Sequence, residues 1–246
     1  MKKFRWDEQE ETLDTLFEGR LKILQKKQGY RFSIDALLLA HFARPDAGDR
    51  MIDLGTGCGI IPLILFYRKK AAKIIGVEIQ PSLADLARRN AVLNRCSSKF
   101  KILEEDLRNL EKRFGRESFD RVLANPPYRK VGSGRINPRE EKAIARHEIQ
   151  ATLEDVLRSA HFLLKDKGRL NMIYPAFRSA DLMRGLSKHH LEPKRLQFVH
   201  SHERDEARLV LVEALKEGHA QVKILPPFFL FDSHSNYTPQ ARELFQ

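Results

Sequence analysis

The feature that most constrains the fold is an alternation of short apolar runs with longer helix-compatible stretches over positions 50–188. Apolar runs bounded by turn residues are typical of buried strands. We predict strands at Arg50–Leu54, Lys73–Glu78, Phe100–Leu103, Phe119–Ala124 and Gly168–Tyr174. We predict helices at Ile60–Tyr67, Pro81–Asn94, Leu153–Leu164 and Ser179–Lys188. Strands separated by helices indicate an α/β fold built on a parallel sheet.

The last two predicted strands break this pattern. Arg195–Val199 and Arg208–Leu215 have only a loop between them. Such a pair is antiparallel, because a parallel crossover needs about a dozen or more residues. We therefore expect a mostly parallel, seven-stranded sheet with one antiparallel C-terminal strand.

The segment before the alternation has weaker signals. Asp7–Glu18 is acidic, and we expect it to be helical or irregular, with Arg20–Leu24 as a short strand. Ser33 is a good N-cap for a helix that runs through Ala43. We find no linker or repeat that divides the chain. We predict one domain over residues 1–246, with an N-terminal extension (1–28), a core (29–217) and a C-terminal tail (218–246) that packs on the core.

Composition narrows the choice of partner and compartment. The 246 residues carry a net charge of +11 and a pI near 9.7, which favours a polyanionic partner, nucleic acid before an anionic membrane. No apolar stretch reaches membrane-spanning length, and the acidic turn of the first residues predicts no signal peptide. Cys58 and Cys96 are the only cysteines. We therefore expect no disulfide framework and a cytoplasmic location.

A glycine-rich loop, Asp53-Leu54-Gly55-Thr56-Gly57-Cys58-Gly59, joins the first strand of the alternation to its helix. Its three glycines allow positive φ and close approach of a ligand, and a helix N-terminus attracts negative groups such as a carboxylate. Glu78 closes the next strand, and an acid about 20 residues after such a loop can bind both hydroxyls of a ribose. The G-x-G-x-G spacing differs from the dinucleotide pattern, so an adenosyl ligand with an amino acid tail fits better than NAD.

A rigid corner, Asn125-Pro126-Pro127-Tyr128, follows the predicted strand Phe119–Ala124. The prolines fix φ and hold the residues before them extended. The corner thus presents two acceptors, the Asn125 side-chain oxygen and the Pro126 carbonyl, beside an aromatic ring. Two acceptors can take both hydrogens of a planar amine and direct its lone pair at an electrophile, while the ring of Tyr128 stacks on the base. Adenine, cytosine and guanine amines all satisfy this chemistry.

The loop, Glu78 and the corner together resemble the class I S-adenosylmethionine-dependent methyltransferases that methylate amino nitrogens, over about residues 29–215. Further segments narrow the resemblance: Gly29-Tyr30-Arg31-Phe32-Ser33-Ile34-Asp35-Ala36-Leu37-Leu38-Leu39-Ala40, Ala145-Arg146-His147-Glu148 and Asn236-Tyr237-Thr238. With these segments the chain resembles the bacterial tRNA (adenine-N6)-methyltransferases that modify valine tRNA beside the anticodon. The resemblance implies a Rossmann-like fold, S-adenosylmethionine as methyl donor and a tRNA adenosine as acceptor.

The same resemblance implies residue roles. Asp53, Gly55, Gly57 and Gly59 bind the methionine end of the cofactor, Glu78 its ribose and Asp106 its adenine amine, while Arg31 binds its carboxylate and Asn125 borders it. Asn125, Pro126, Pro127 and Tyr128 form the catalytic corner.

A basic segment follows this corner. Its cations, which we expect to contact RNA phosphates, are Arg129, Lys130, Arg135, Arg139, Lys142 and Arg146. We interpret His147 as a packing or positioning residue, because methylation of an amine needs no base during attack. The other histidines lack the spacing of metal ligands, so we expect no metal. The sequence does not indicate an oligomeric state.

Other classes of function remain open on the residues alone. A protein glutamine N5-methyltransferase would use the same corner for an amide nitrogen, although such enzymes carry a long N-terminal helical domain. A ribosomal RNA or DNA amino methyltransferase is a second alternative, and an RNA-binding protein without catalysis is a third. The net charge favours RNA over protein.

Overall fold

A computed structural model of the protein describes residues 6–29, 31–68, 71, 73–126 and 151–246. The strands are β1 (Glu11–Leu16), β2 (Leu21–Lys26), β3 (Arg50–Leu54), β4 (Lys73–Glu78), β5 (Phe100–Glu104), β6 (Phe119–Ala124), β7 (Leu164–Pro175), β8 (Leu191–His200), β9 (Ala207–Lys216), β10 (Lys223–Ile224) and β11 (Phe228–Phe229). The α-helices are α1 (Ile34–Phe42), α2 (Ile60–Tyr67), α3 (Pro81–Leu93), α4 (Leu153–Leu163), α5 (Ser179–Lys188) and α6 (Pro239–Arg242). Within these ranges, no helix is both long and apolar enough to cross a membrane.

The main sheet has the predicted architecture. Its body follows the order β8-β9-β7-β6-β3-β4-β5, and only β9 runs against the other six of these strands. The expectation of a mostly parallel sheet of seven strands with one reversed C-terminal strand is confirmed. Two-residue strands β10 and β11 also pair with β8, in parallel. Sequence patterns did not predict them, because two residues carry no periodic signal.

The N-terminal segment differs from its prediction. The expectation that Asp7–Glu18 is helical or irregular is wrong, because β1 and β2 form an antiparallel hairpin. Positive φ values at Phe17 (52°) and Gly19 (82°) close its turn. Ile23 and Leu24 of β2 are fully buried. Long-range packing of this strand therefore outweighs the low strand propensity of the acidic segment that pairs with it.

Strand β7 begins earlier than predicted because a bulge precedes its regular part. Phe119 pairs with Leu164, whereas Arg121 already pairs with Arg169. The polar residues between Leu164 and Arg169 lie in this irregularity, which hides the strand start from a pattern of apolar residues.

Alternation along the strands divides the core between the two faces of the sheet. Met51 and Leu123 belong to a buried cluster with α1, α2, α3 and the hairpin, whereas Ile52 and Val122 belong to one with α4 and α5. The C-terminal tail adds buried residues to the first cluster, namely Phe228, Leu230, Ala241 and Leu244. Helices therefore cover both faces, and the strand ends are left for the functional loops.

A buried ionic network links several strands of the sheet near the amino ends of its parallel strands. The side chain of Arg121 on β6 is 1% exposed and donates to Asp49 at 2.8 Å and to Asn171 at 2.7 Å. It also donates to the carbonyl of Arg44 at 2.9 Å and lies 3.5 Å from Glu213 on β9. The guanidinium therefore joins β6, β7, β9 and the loop after α1, and it balances a buried carboxylate.

Candidate active site at the carboxyl edge of the sheet

Three neighbouring strand ends bring some of the predicted site residues together. Leu54 of β3 pairs with Ala124 of β6 on one side and with Val77 of β4 on the other. The next residues along the chain are Gly55, Asn125 and Glu78. Because the strands are parallel, the glycine loop, the proline corner and the acid lie beside one another at one edge of the sheet.

The glycine loop is held against β4 by backbone hydrogen bonds. The N–H groups of Gly55 and Thr56 both donate to the carbonyl of Val77 at 2.9 Å. Gly59 has a φ of 85°, and a Cβ atom added there would lie 2.7 Å from the ring of Phe100. A Cβ added at Gly55, whose φ is 75°, would meet nothing within 4 Å. Gly59 is thus required for packing, whereas Gly55 borders open space that a ligand can approach.

Glu78 links this loop to the start of α3. One carboxylate oxygen accepts from the N–H of Gly57 and the other from the N–H of Gln80, each at 2.9 Å. Burial raises the pKa of Glu78, and these backbone donors oppose that rise. Each oxygen keeps acceptor capacity beyond these bonds, as recognition of two ribose hydroxyls requires.

Asp53 carries an unsatisfied buried oxygen. Its side chain is fully buried; Oδ2 accepts from the hydroxyl of Thr56 at 2.7 Å, and Oδ1 has no hydrogen-bond partner. Burial raises the pKa of Asp53 to about 7; the Thr56 hydrogen bond opposes this rise and the charge of Glu78 adds to it. A buried acceptor without a partner is costly, so Asp53 is suited to a ligand that brings a donor or a positive charge.

Asn90 of α3 is a structural residue of the site that the sequence reasoning missed. Its Oδ1 accepts from the N–H of Leu24 at 2.7 Å, and its Nδ2 donates to the carbonyls of Leu24 and Cys58 at 3.0 and 2.9 Å. It therefore ties the hairpin to the glycine loop. The sequence does contain a signal for this role. Asn90 lies at helical spacing from the apolar Leu83 and Leu86, which places it on the buried face of α3.

Arg31 contacts the hairpin. Its guanidinium donates to the carboxylate of Asp14 at 2.6 Å, to the hydroxyl of Thr12 at 2.8 Å and to the carbonyl of Lys26 at 2.9 Å. The hairpin therefore holds this cation beside the loop that precedes α1. Binding of a cofactor carboxylate by Arg31 stays a prediction.

Asp106 is already engaged by a neighbouring cation. Both of its oxygens accept from Arg108, with the shortest contact 2.6 Å, and the backbone N–H of Arg108 also donates to it. Burial acts to raise the pKa of Asp106, but the hydrogen bonds from Arg108 together hold it below its usual value. A role in reading an adenine amine stays a prediction, and it would require this carboxylate to share or exchange its partner.

The proline corner is described only in its first half. Asn125 is half-buried and Pro126 is buried directly after β6. Several predicted site residues lie outside the described residues: Pro127, Tyr128, Arg129, Lys130, Arg135, Arg139, Lys142 and Arg146, together with His147. The contact of the basic segment with RNA stays a prediction.

Neither cysteine is suited to act as a nucleophile. Cys58 and Cys96 are buried and unpaired. Burial raises the pKa of Cys58 to about 12 and that of Cys96 to about 11. Both thiols therefore stay protonated near neutral pH. Across the described ranges, His, Cys, Asp and Glu side chains form no group of three that could hold a metal ion.

A cavity of about 430 Å³ lies away from this edge, next to the buried ionic network. Charged side chains line much of it, among them Arg169, Arg195 and Glu213. Glu213 already pairs with Arg169 at 3.1 Å and with Arg195 at 3.3 Å. Because neither the glycine loop nor Asn125 borders this cavity, we place the candidate active site at the carboxyl edge of the sheet.

The sheet order, its single reversed strand and the glycine loop after β3 define a Rossmann-like methyltransferase. The family model described as "Methyltransferase small domain" matches residues 33–192. The chain belongs to the family of the tRNA1(Val) (adenine(37)-N6)-methyltransferases. The resemblance stated from the sequence is thus confirmed.

Curated relatives support this assignment, and a solved structure supports the fold. A relative with that name from Porphyromonas gingivalis is 34% identical over 189 residues, which cover 74% of this chain and 73% of the relative. One with the same name from Photobacterium profundum is 28% identical and covers 75% and 77%. A crystal structure described as a predicted O-methyltransferase from Agrobacterium tumefaciens has a TM-score of 0.69 at 24% identity, covering 85% of this chain and 94% of that one. At that identity the structure supports the fold alone.

Proposed function

We propose that this chain transfers the methyl group of S-adenosylmethionine to the exocyclic N6 of an adenine in tRNA. The observation that carries this proposal is the register of three strands, in which Leu54 pairs with both Ala124 and Val77. That register brings a loop suited to the cofactor beside a corner suited to an amine.

The residues of the loop fit the cofactor. The unsatisfied Oδ1 of Asp53 is an acceptor for its ammonium group, the open space at Gly55 admits its methionine end, and Glu78 has acceptor capacity for its ribose hydroxyls. When bound, S-adenosylmethionine supplies an electrophilic methyl group on a sulfonium. The glycine loop positions that electrophile, which contributes to catalysis by fixing the direction of attack.

The corner orients the nucleophile. The side-chain oxygen of Asn125 and the carbonyl of Pro126 each accept one hydrogen of the amine, so its lone pair is directed along the attack line. The nitrogen becomes acidic only once it carries the additional methyl group, and it then releases a proton to water or a nearby acceptor. The site therefore needs no strong general base.

The substrate class follows from the relatives and from charge. Relatives from several organisms carry a name that specifies adenine 37 of valine tRNA. A net charge of +11 suits a polyanion. We place the activity in the cytoplasm, where tRNA is modified, and unpaired cysteines fit that compartment. The proposal treats residues 1–246 as one methyltransferase domain whose C-terminal tail packs on the core, in line with the burial of Leu244 beside α1.

Transfer of radiolabelled methyl groups to four substrate pools tests the proposal. Total tRNA, ribosomal RNA, DNA and protein are prepared from cells that lack this enzyme, and each is incubated with the protein and labelled cofactor. We expect label in tRNA, recovered as N6-methyladenosine after digestion to nucleosides. Label confined to protein would support a protein glutamine N5-methyltransferase. Label confined to ribosomal RNA or DNA would support a ribosomal RNA or DNA amino methyltransferase. Either result would refute the tRNA assignment.

A further inference from the structure

An exposed aromatic side chain lies at the same edge of the sheet as the proline corner. Met172 of β7 pairs with Ala124 of β6, the residue that precedes Asn125. Strand β7 continues to Pro175 and passes into a short 3-10 helix, Ala176–Arg178. Because β6 and β7 are parallel neighbours, Phe177 in this helix lies at the carboxyl edge that carries the corner.

Phe177 is unusually exposed for a phenylalanine. Its relative exposure is 85%, the highest among the exposed large hydrophobic residues in the described part of the chain. The others belong to different elements: Val92 to α3, Val222 and Ile224 to the segment at β10, and Tyr237 to the C-terminal tail. No second exposed large hydrophobic of the described residues shares the 3-10 helix with Phe177, whereas a protein interface favours a contiguous apolar patch. The ring of Phe177 is suited to stacking on a flat, polar-edged partner.

The backbone on both sides of this ring is held in place. Pro175 pairs with Leu209 of β9, and the hydroxyl of Ser179 donates to the carbonyl of Ala176 at 2.6 Å. The guanidinium of Arg178 lies 5.0 Å from the ring centroid of Tyr174, and Arg178 pairs with Asp181 at 3.4 Å. The 3-10 helix is therefore fixed to the sheet, and a base that stacks on Phe177 need not order this segment.

The local charge suits a nucleic acid. Arg178 and Arg184 share one carboxylate, that of Asp181, at 3.4 and 2.7 Å. These three side chains, on the 3-10 helix and on α5 directly after it, therefore carry one net positive charge. An aromatic face with adjacent cationic charge is the combination that binds unpaired bases and their phosphates.

We propose that Phe177 is a stacking platform for an unpaired base of the RNA substrate, next to the amine-orienting corner. This inference rests on the proposed function, since it assumes that the substrate is RNA. Phe177 is a positioning residue: it holds a base, and with it the loop of the RNA, in the orientation that presents the target amine.

Steady-state kinetics of two substitutions at Phe177 and one control test this proposal. Phe177→Ala removes the ring, Phe177→Trp keeps an aromatic face, and Ile224→Ala removes an exposed apolar side chain from a different part of the surface. We expect Phe177→Ala to raise KM for unmodified tRNA roughly 5- to 150-fold, the range for loss of one base–aromatic stack. We expect Phe177→Trp and Ile224→Ala to stay within about threefold of wild type. Affinity for S-adenosylhomocysteine should be unchanged in all three.

Several results would overturn the platform. An unchanged KM for Phe177→Ala would do so. A third substitution, Phe177→Leu, keeps apolar volume without an aromatic face, and a wild-type KM for that variant would also overturn the platform. A change in the sedimentation of the protein alone, with KM unaffected, would assign the ring to a protein interface.

A binding measurement separates failure of this inference from failure of the proposed function. If the wild type methylates no RNA, binding of a short RNA stem-loop is compared between wild type and Phe177→Ala without cofactor. Weaker binding by the variant would support the platform even then, whereas equal binding would refute it.

Discussion

Oε2 of Glu78 accepts a hydrogen bond from the backbone N–H of Gly57 at 2.9 Å. The acid that ends β4 thus fixes the loop that follows β3, before any ligand is present. The same carboxylate can then bind a ribose at no cost in ordering the loop. Cofactor recognition and loop geometry are therefore coupled through one side chain.

Removal of the Glu78 carboxylate should weaken both the loop and cofactor binding. We expect Glu78→Ala to lower cofactor affinity by about 100-fold, because the buried N–H of Gly57, the partly buried N–H of Gln80 and the ribose hydroxyls lose their acceptor. Isothermal titration with S-adenosylhomocysteine measures this effect. Glu104 is the matched control, since it pairs with Glu78 in register but is exposed and bonded to Arg88. Equal effects of Glu78→Ala and Glu104→Ala would contradict the assigned role.

Two glycines of the same loop should respond differently to the same substitution. Gly59→Ala forces a Cβ to within 2.7 Å of the Phe100 ring, so we expect a loss of unfolding free energy of about 2 kcal/mol or more. Gly55→Ala meets no atom within 4 Å and should cost only backbone strain, about 1 kcal/mol, while it obstructs the ligand space. Denaturant unfolding and cofactor titration of both variants check this. Comparable stability losses with unchanged cofactor binding by Gly55→Ala would refute the distinction.

The raised pKa of Asp53 predicts how stability depends on pH. The folded protein keeps this proton up to about pH 7, whereas the unfolded chain releases it near its ordinary value of 3.8. Between these values the folded state binds more protons, so the stabilisation is complete at low pH and is lost as pH rises through about 7. Asp53→Asn should remove this component and be more stable than wild type at about pH 8. Thermal unfolding as a function of pH measures it, and identical profiles for both proteins would contradict the assignment.

A cationic ligand at Asp53 should release the same proton. Cofactor affinity is then expected to rise with pH up to about 7 and to level off above it. Titrations in buffers of different ionisation enthalpy would report proton release on binding below about pH 7. An affinity that does not change across this range would indicate that the cofactor does not contact Asp53.

The buried network around Arg121 should dominate the stability of the sheet. Arg121→Ala leaves the Glu213 carboxylate buried with fewer partners, so we expect a loss of about 3–5 kcal/mol in unfolding free energy. Arg184→Ala is the control, because its pair with Asp181 is exposed and should contribute less than about 1 kcal/mol. Chemical denaturation of both variants checks the contrast. A small loss for Arg121→Ala would mean that the network is dispensable.

The main sheet was predictable because its signals are local. Runs such as Lys73–Glu78 and Phe119–Ala124 keep their predicted bounds, since short runs rich in apolar residues between turns leave few alternatives. The hairpin was not predictable, because Glu11–Leu16 gains its strand conformation from pairing with β2 and from the packing of Ile23 and Leu24. Contacts between distant segments decide such cases.

The candidate site also contains features that the sequence predicts and features that only the packed structure shows. Asp53, Glu78 and the corner at Asn125 could be found from spacing, because each lies within one residue of the end of a predicted strand. The unsatisfied oxygen of Asp53, the hydrogen bonds of Asn90 and the exposure of Phe177 depend on how elements pack. No spacing rule contains that information.

The most direct test of the central claim is single-turnover methyl transfer to unmodified tRNA by the wild type and by Asn125→Ala, with the product nucleoside identified. We predict that the wild type forms N6-methyladenosine and that Asn125→Ala reduces the rate by about 10²- to 10³-fold, as expected when one group that stabilises the transition state is lost. The affinity of Asn125→Ala for S-adenosylhomocysteine should stay within about threefold of the wild-type value. A threefold change corresponds to less binding free energy than one hydrogen bond contributes. Transfer by Asn125→Ala at the wild-type rate, or an equal loss of cofactor binding and turnover, would contradict the account.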